Sequence, residues 1–115
     1  MRRRPGWRSE AEAMARPTRK KLVAIVESPH LARLLALLEE AGATGFTVLD
    51  GREGRGLEGE WRRNDVVGAV EKKVVIAITN AETAEAVLTA AEGFFARYPG
   101  IIYAHDVEVV RGERF

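Results

Sequence analysis

Apolar residues fall into blocks along this chain, and the period changes from block to block. Leu22, Val23, Ala24, Ile25 and Val26 run without interruption and are rich in β-branched side chains, so residues 21–27 are expected to form a buried strand. Ser28-Pro29 then signals a helix start, because serine can cap free amide groups and proline's fixed φ suits a first helical turn. Leu31, Leu34, Leu35 and Leu38 follow at i, i+3, i+4 and i+7, which puts them on one helix face, and Gly42 is the natural stop. Residues 45–49 alternate, with Phe46 and Val48 on one side and Thr47 and Leu49 on the other, as a second strand would. A third strand is expected over 69–79, centred on Val74, Val75, Ile76, Ala77 and Ile78. Asn80 is placed to cap the helix that follows, with Glu82 favourable in its first turn. That helix carries Ala84, Val87, Leu88, Ala91, Phe94 and Phe95 along one stripe and ends before Pro99-Gly100. A last strand over 101–110 and a short tail to Phe115 complete the chain.

The resulting order, β-α-β-β-α-β, is the split βαβ pattern of an α+β, ferredoxin-like sandwich: an antiparallel sheet with two helices on one face. Strands apolar on both sides, such as 74–78, leave a second sheet face that water cannot cover cheaply. A homo-oligomer that buries this face is therefore expected.

Residues 50–65 interrupt the pattern. Four glycines (Gly51, Gly54, Gly56, Gly59) and four arginines (Arg52, Arg55, Arg62, Arg63) sit there with only two large apolar residues, Leu57 and Trp61. A stretch of about 16 residues without periodicity is long for a small domain, and such loops are usually functional or disordered. Glycine lets backbone N–H groups approach phosphate oxygens closely, and arginine adds a planar bidentate donor. The loop thus suits an anionic ligand such as a nucleotide. Trp61 beside Arg62 and Arg63 suits a protein partner instead, with Arg52 and Leu57 on the same loop, since Trp and Arg dominate interface hot spots. Loops of this composition are also often simply solvated, and Trp61 can equally pack locally.

Charge adds an asymmetry. The chain of 115 residues has 18 basic and 17 acidic side chains. Residues 1–21 hold eight basic and two acidic groups, a local +6, which leaves 10 basic and 15 acidic groups on the remainder, a net −5. A specific nucleic-acid binder carries its positive charge on the folded body, and here that body is acidic. With Pro5 and Pro17 and no apolar period, residues 1–19 read as a basic disordered tail ahead of a domain over 20–115, and Met14 is an alternative start. No apolar run approaches the length of a membrane span, and no apolar stretch follows the basic N-terminus, so a cytoplasmic location is expected.

Candidate chemistry is sparse. There is no cysteine, hence no disulfide framework and no thiol nucleophile. His30 and His105 lack a second ligand at metal-binding spacing, so no metal is expected. Ser9 and Ser28 are the only serines, and neither a nucleophile elbow nor a Walker A sequence is present. Asp50 and Glu53 are a carboxylate pair on a loop too irregular for the fixed geometry of acid–base catalysis. A non-enzymatic role follows.

Gly42-Ala43-Thr44-Gly45-Phe46-Thr47-Val48, followed by the glycine-rich loop, resembles the end of the first helix and the second strand of PII signalling proteins. Phe94-Phe95, Tyr98, Gly100, Ile102-Tyr103, Glu108-Val109 and Gly112 resemble the PII-like branch of bicarbonate-transporter regulators and carboxysome-associated proteins. The resemblance spans residues 20–115. It implies a PII-like homotrimer with adenine nucleotides in the clefts between subunits, and a T-loop at about 50–65 that reports ligand state to a partner. By position it places Gly45, Phe46 and Thr47 near the adenine, Gly54, Arg55 and Gly56 toward the phosphates, and Gly100 with Ile102 in a second clasp. Arg111 and Arg114 would reach phosphate from the C-terminal segment. It implies a protein partner such as a bicarbonate transporter, and through it a location peripheral to the membrane.

Three departures refine that picture. Nitrogen-regulating PII proteins carry Gly-Asp-Gly-Lys before the last strand, where this chain has Tyr98-Pro99-Gly100-Ile101. Without that lysine, AMP, ADP or cyclic AMP is favoured over ATP. Residues 51–64 hold no Tyr, Ser or Thr, so the loop offers no hydroxyl for modification. The cysteine-bearing C-terminal extension of some bicarbonate-transporter regulators has no counterpart, so redox control through it is not expected. Two other modules share the element order: an amino-acid-sensing regulatory domain and a metal-binding trimer of the copper-tolerance type.

Overall fold

The sheet is assembled on both edges of its first strand, β1 (Thr18–Glu27). The computed structural model describes residues 16–56, 59–62 and 70–115. On one side of β1 lies β5 (Lys72–Thr79), antiparallel from Lys20↔Thr79 to Glu27↔Lys72. On the other lies β6 (Gly100–Glu108), antiparallel from Thr18↔Glu108 to Val26↔Gly100. The short β2 (Thr47–Asp50) pairs with the outer edge of β5, which gives the order β2-β5-β1-β6. Two helices, α1 (Leu31–Glu40) and α2 (Ala81–Arg97), pack on one face of this sheet. This is the expected α+β, ferredoxin-like βαββαβ sandwich.

Alternation in β1 decides which face the helices take. Leu22, Ala24 and Val26 point one way and are buried, together with Val75 and Ala77 of β5. Onto them α1 lowers Leu34 and Leu38, and α2 lowers Ala84, Val87 and Phe94. Each fully buried leucine or valine contributes roughly 1.5–3 kcal/mol from removal of apolar surface from water. The leucine spacing in α1 and the alanine-valine-phenylalanine stripe in α2 are thus the inner faces of their helices.

The ends of the helices follow local chemistry. Asn80 Oδ1 accepts from the Thr83 backbone N–H at 2.7 Å, so the expected N-cap of α2 is made. Gly42 takes φ +105° after α1, a conformation that favours glycine, while its N–H donates to the Glu39 carbonyl at 3.0 Å. Ser28 does not cap α1. It opens a 3-10 turn, Ser28–His30, and its N–H donates to the Glu71 carbonyl at 2.7 Å instead. The serine lies too early, because the tight turn containing Pro29 is spent before α1 begins.

Several boundaries differ from expectation. β1 starts at Thr18 rather than 21, because pairing with Val107 and Glu108 of β6 extends it into the basic stretch. Residues 1–15, the greater part of the expected tail, lie outside the described residues. β2 begins at Thr47 rather than 45 and ends on Asp50, β5 begins at Lys72 rather than 69, and β6 spans Gly100–Glu108 rather than 101–110. The largest correction concerns 50–65, which was expected to lack regular structure. Part of it is an antiparallel hairpin, β3 (Glu53–Gly56) against β4 (Gly59–Arg62), paired from Glu53↔Arg62 to Gly56↔Gly59. Three glycines in these two strands erase the alternation by which a strand is normally read.

Among the described residues no element packs over the face of the sheet opposite the helices. Strand register sets Leu49, Val74, Ile25 and Ile101 in one row across it, and Thr47, Ile76, Val23 and Tyr103 in the next. Ile101 is 53% exposed, Leu49 48% and Tyr103 46%. Leu34→Ala on the covered face should lower stability by about 2–5 kcal/mol through lost burial and a residual cavity. Urea unfolding of the two proteins measures it, and a change below about 1 kcal/mol would show that this helix contact is dispensable.

Candidate functional site

One end of the sheet gathers the features that the sequence singles out. Asp50 closes β2, Lys72 and Lys73 open β5, Glu27 ends β1 and Gly100 begins β6, all at the same end of the sheet by register. The arginine-glycine hairpin leaves this end at Asp50. The Gly51 N–H donates to the Lys72 carbonyl at 2.9 Å, so the β2–β5 ladder runs one residue further before the chain departs.

Ion pairs fix both stems. Lys73 Nζ donates to Asp50 Oδ1 at 2.5 Å and lies 3.6 Å from Glu71 Oε2. Lys72 Nζ donates to Glu27 Oε2 at 3.1 Å, a half-buried pair. The hydrogen bond that Lys73 donates to Asp50, helped by the charges of Asp50 and Glu71, holds the Lys73 ammonium above its ordinary value of 10.5, while desolvation acts in the opposite sense. Asp50 is therefore part of the loop's stem.

Gly100 is held by the fold itself. Its φ is +136°, and a Cβ built there would collide with the Ile25 carbonyl oxygen and lie 2.7 Å from the Phe95 ring. The backbone of Gly100 consequently lies bare against its neighbours, whatever else it contacts. Ile102 is half-buried and packs on the core. Beside them Tyr98 stacks on His30 with ring centroids 4.1 Å apart, and the Arg33 and Arg97 guanidiniums lie 5.6 and 5.5 Å from the same ring. His30 is thus a packing residue, although its Nδ1 is buried without a hydrogen-bond partner.

The remaining sequence-predicted residues divide by location. Gly45 and Thr47 are exposed, and a Cβ on Gly45 would meet nothing within 4 Å. Phe46 packs against the core between them. Gly54 is half-buried in β3 and Arg55 is exposed there, opposite Glu60 in the ladder. Gly56 is paired with Gly59, and Trp61 with Gly54. Arg52 is exposed, and Arg62 ends β4 opposite Glu53. Leu57 and Arg63 lie outside the described residues. Arg111 and Arg114 are exposed at the opposite end of the sheet, beside a second 3-10 turn, Gly112–Arg114. Sequence reasoning did not anticipate the stem pairs Asp50–Lys73 and Glu27–Lys72. Their only signal was a lysine pair opening a strand whose neighbours end in acids.

Within one protomer the two halves of the clasp stand apart. Asp50 and Gly100 occupy the outer strands of a four-stranded sheet. At a strand spacing of about 4.8 Å the gap is about 14 Å. A single phosphate cannot bridge that distance. Among the described residues no three His, Asp or Glu side chains converge as metal ligands, and no helix is long and apolar enough to cross a membrane.

Such a sandwich, with a long arginine-glycine excursion between its second strand and the strand it pairs with, defines a class of small regulatory proteins. The family model for nitrogen regulatory protein P-II matches residues 19–114, and the chain belongs to that family. Among solved structures it is similar to CPII, a nitrogen regulatory PII-like protein from Thiomonas intermedia K12 solved with ADP, AMP and bicarbonate. The two are 27% identical over 86% of this chain and 94% of that one, with a TM-score of 0.79. It is also similar to a PII-like signalling protein from Thermus thermophilus, 29% identical over 85% and 95% of the respective chains, with a TM-score of 0.71. GlnK from B. subtilis, solved with ATP, shares the fold at 14% identity and a TM-score of 0.56, over 78% of this chain and 82% of its own. The P-II match separates the chain from amino-acid-sensing and copper-tolerance modules of the same element order.

Because the Lys73 ammonium titrates higher in the folded chain than in the unfolded one, its pairing stabilises fully below the ordinary lysine value. The stabilisation is lost as pH rises through the folded-state value. Asp50→Asn should return the Lys73 titration toward 10.5 and shrink this alkaline loss. An NMR titration of the lysine side chains checks it, and an unmoved Lys73 would show that Asp50 is not its main partner.

Proposed function

We propose that this chain is a non-enzymatic, homotrimeric PII-like sensor that binds an adenine nucleotide in the clefts between subunits and controls a partner through residues 50–65. The observation that carries most weight is the company it keeps: CPII, alike over nearly its whole length, was solved with ADP, AMP and bicarbonate. The uncovered apolar sheet face supports the assembly, because apolar rows across four strands are costly to leave in water. The separation of Asp50 from Gly100 supports a site shared between copies.

In this reading the loop stem of one subunit and the Gly100 turn of its neighbour hold the ligand. Gly45 and Thr47 border the adenine with Phe46 behind them, Ile102 backs the Gly100 turn, and Gly54, Arg55 and Gly56 turn toward the phosphates. Arg111 and Arg114 add charge from the C-terminal segment. No lysine follows Gly100, so distal phosphates lose a contact and AMP, ADP or cyclic AMP is preferred to ATP. Arg52, Leu57, Trp61, Arg62 and Arg63 then face the partner. A bicarbonate transporter is the partner the branch suggests, with the protein in the cytoplasm and at the membrane only through it.

The mechanism is a shift between loop states. A nucleotide changes the loop only by its differential affinity for those states, and contacts to Arg55 supply that difference. Arg55→Ala should weaken binding by about 1–3 kcal/mol if its guanidinium meets a phosphate. Isothermal titration with AMP, ADP, ATP and cyclic AMP, each with and without bicarbonate, measures this directly. Silence with every nucleotide at millimolar concentration would overturn the sensor reading. The trimer has its own check. Ile101→Glu puts a charge on the uncovered face, and sedimentation should show trimers for the parent chain and monomers for the variant.

A further inference from the structure

The last residues of the chain tie one edge of the sheet to the other, at the end away from the hairpin. After β6 the Val109 N–H donates to the Pro17 carbonyl at 3.1 Å, and the chain then passes the start of β1. Gly112 is buried there against the Pro17 ring, in a space where a Cβ could not be accommodated. The turn Gly112–Arg114 closes on itself through Arg114 N–H to Arg111 C=O and Phe115 N–H to Gly112 C=O, both 3.1 Å. Arg19 of β1 fastens it. Its guanidinium donates through Nη2 to the Gly112 carbonyl at 2.7 Å, through Nε to the Phe115 carbonyl at 3.2 Å and through Nη1 to the Thr18 carbonyl at 2.9 Å.

The other side of the turn meets the segment that leads into β2. Thr44 Oγ1 donates to the Arg114 carbonyl at 3.3 Å. Among the described residues this is the one side-chain hydrogen bond made by residues 44–46, whose other anchor is the packing of Phe46 on the core. β2 is the shortest strand of the four-stranded sheet. It has four residues, all exposed, and a ladder on one side only. At its far end it is held by the Gly51 N–H on the Lys72 carbonyl and by the Asp50–Lys73 pair, and there the chain leaves for the hairpin.

We infer that the C-terminal turn is a brace for β2: Arg19 fastens the turn to β1, and Thr44 passes that hold to the strand from which the hairpin β3–β4 departs. The brace lies within one chain and acts with or without a bound nucleotide. Its physical basis is unequal local stability. A short exposed edge strand opens at low cost, whereas a strand laddered on both sides opens only with much of the fold. One hydrogen bond at the root of β2 therefore counts for more than the same bond would beside β1. The brace needs arginine at 19, because lysine offers a single point charge in place of a planar fork that reaches three carbonyls. Events at the C-terminal turn are in this way transmitted to the root of the hairpin through backbone, across the width of the sheet.

The test is residue-resolved amide hydrogen exchange by NMR on the full chain, comparing the parent with Arg19→Ala, Arg19→Lys, Thr44→Val and the Arg19→Ala/Thr44→Val double variant. The amides of residues 47–51, Gly51 included, should exchange about threefold to tenfold faster in Thr44→Val and in Arg19→Ala, the effect of losing one hydrogen bond. The amides of residues 22–26 should change by a smaller factor, and Arg19→Lys should resemble Arg19→Ala. The double variant should exchange no faster in 47–51 than the faster single variant, because the two side chains act in series. An Arg19 that serves only global stability would speed 22–26 and 47–51 by the same factor, and that result overturns the inference. So does parent-like exchange of 47–51 in Thr44→Val, which removes only the hydroxyl's hydrogen bond. Should Arg19→Ala fail to fold, Arg19→Lys and Thr44→Val carry the same comparison of 47–51 with 22–26.

Discussion

Everything in this molecule is hung on a strand that is paired along both edges and apolar on both faces. β1 satisfies its backbone groups in two ladders at once, with β5 on one side and β6 on the other. Because successive side chains point to opposite faces, one strand serves two packing problems. Leu22, Ala24 and Val26 meet the helices, while Val23 and Ile25 meet whatever lies across the other face. Its doubly apolar character puts apolar side chains on the face away from the helices as well as in the core.

Site geometry inherits this constraint. β1 in the middle forces β2 and β6 to the two edges, so the loop stem at Asp50 and the turn at Gly100 come out on the same end of the sheet but on opposite sides of it. The ion pairs Asp50–Lys73 and Glu27–Lys72 hold that end in register where the chain leaves the sheet for the hairpin. Asp50–Lys73, whose carboxylate is open to solvent, contributes little to global stability. The use of both pairs lies in fixing where the loop begins and returns.

The sequence carried some of this plainly and hid the rest, for identifiable reasons. The two helices were legible because leucine at i, i+3, i+4 and i+7 in α1 and the small-residue stripe of α2 leave no competing period, and Asn80 sat where a cap belongs. The second sheet face was legible because 74–78 are apolar without alternation. The hairpin at 53–62 was not, since glycine contributes no side chain to a periodicity argument. The start of β1 was hidden for a related reason: Thr18, Arg19 and Lys20 look like a polar leader, and only their pairing with β6 makes them strand. Of the candidate site, Arg55, Gly100 and the C-terminal arginines could be singled out from residue type and resemblance.

The hairpin's composition has a mechanical corollary. Gly56 faces Gly59 and Gly54 faces Trp61, so two of its four cross-strand pairs contain a glycine and lack the paired side chains that normally lock a ladder. A two-stranded ribbon of four residues a side is at the lower limit of what holds together in water. Its hydrogen bonds are therefore cheap to exchange for those of another surface, so the segment can be recast against a binding partner without disturbing the four-stranded platform beneath it.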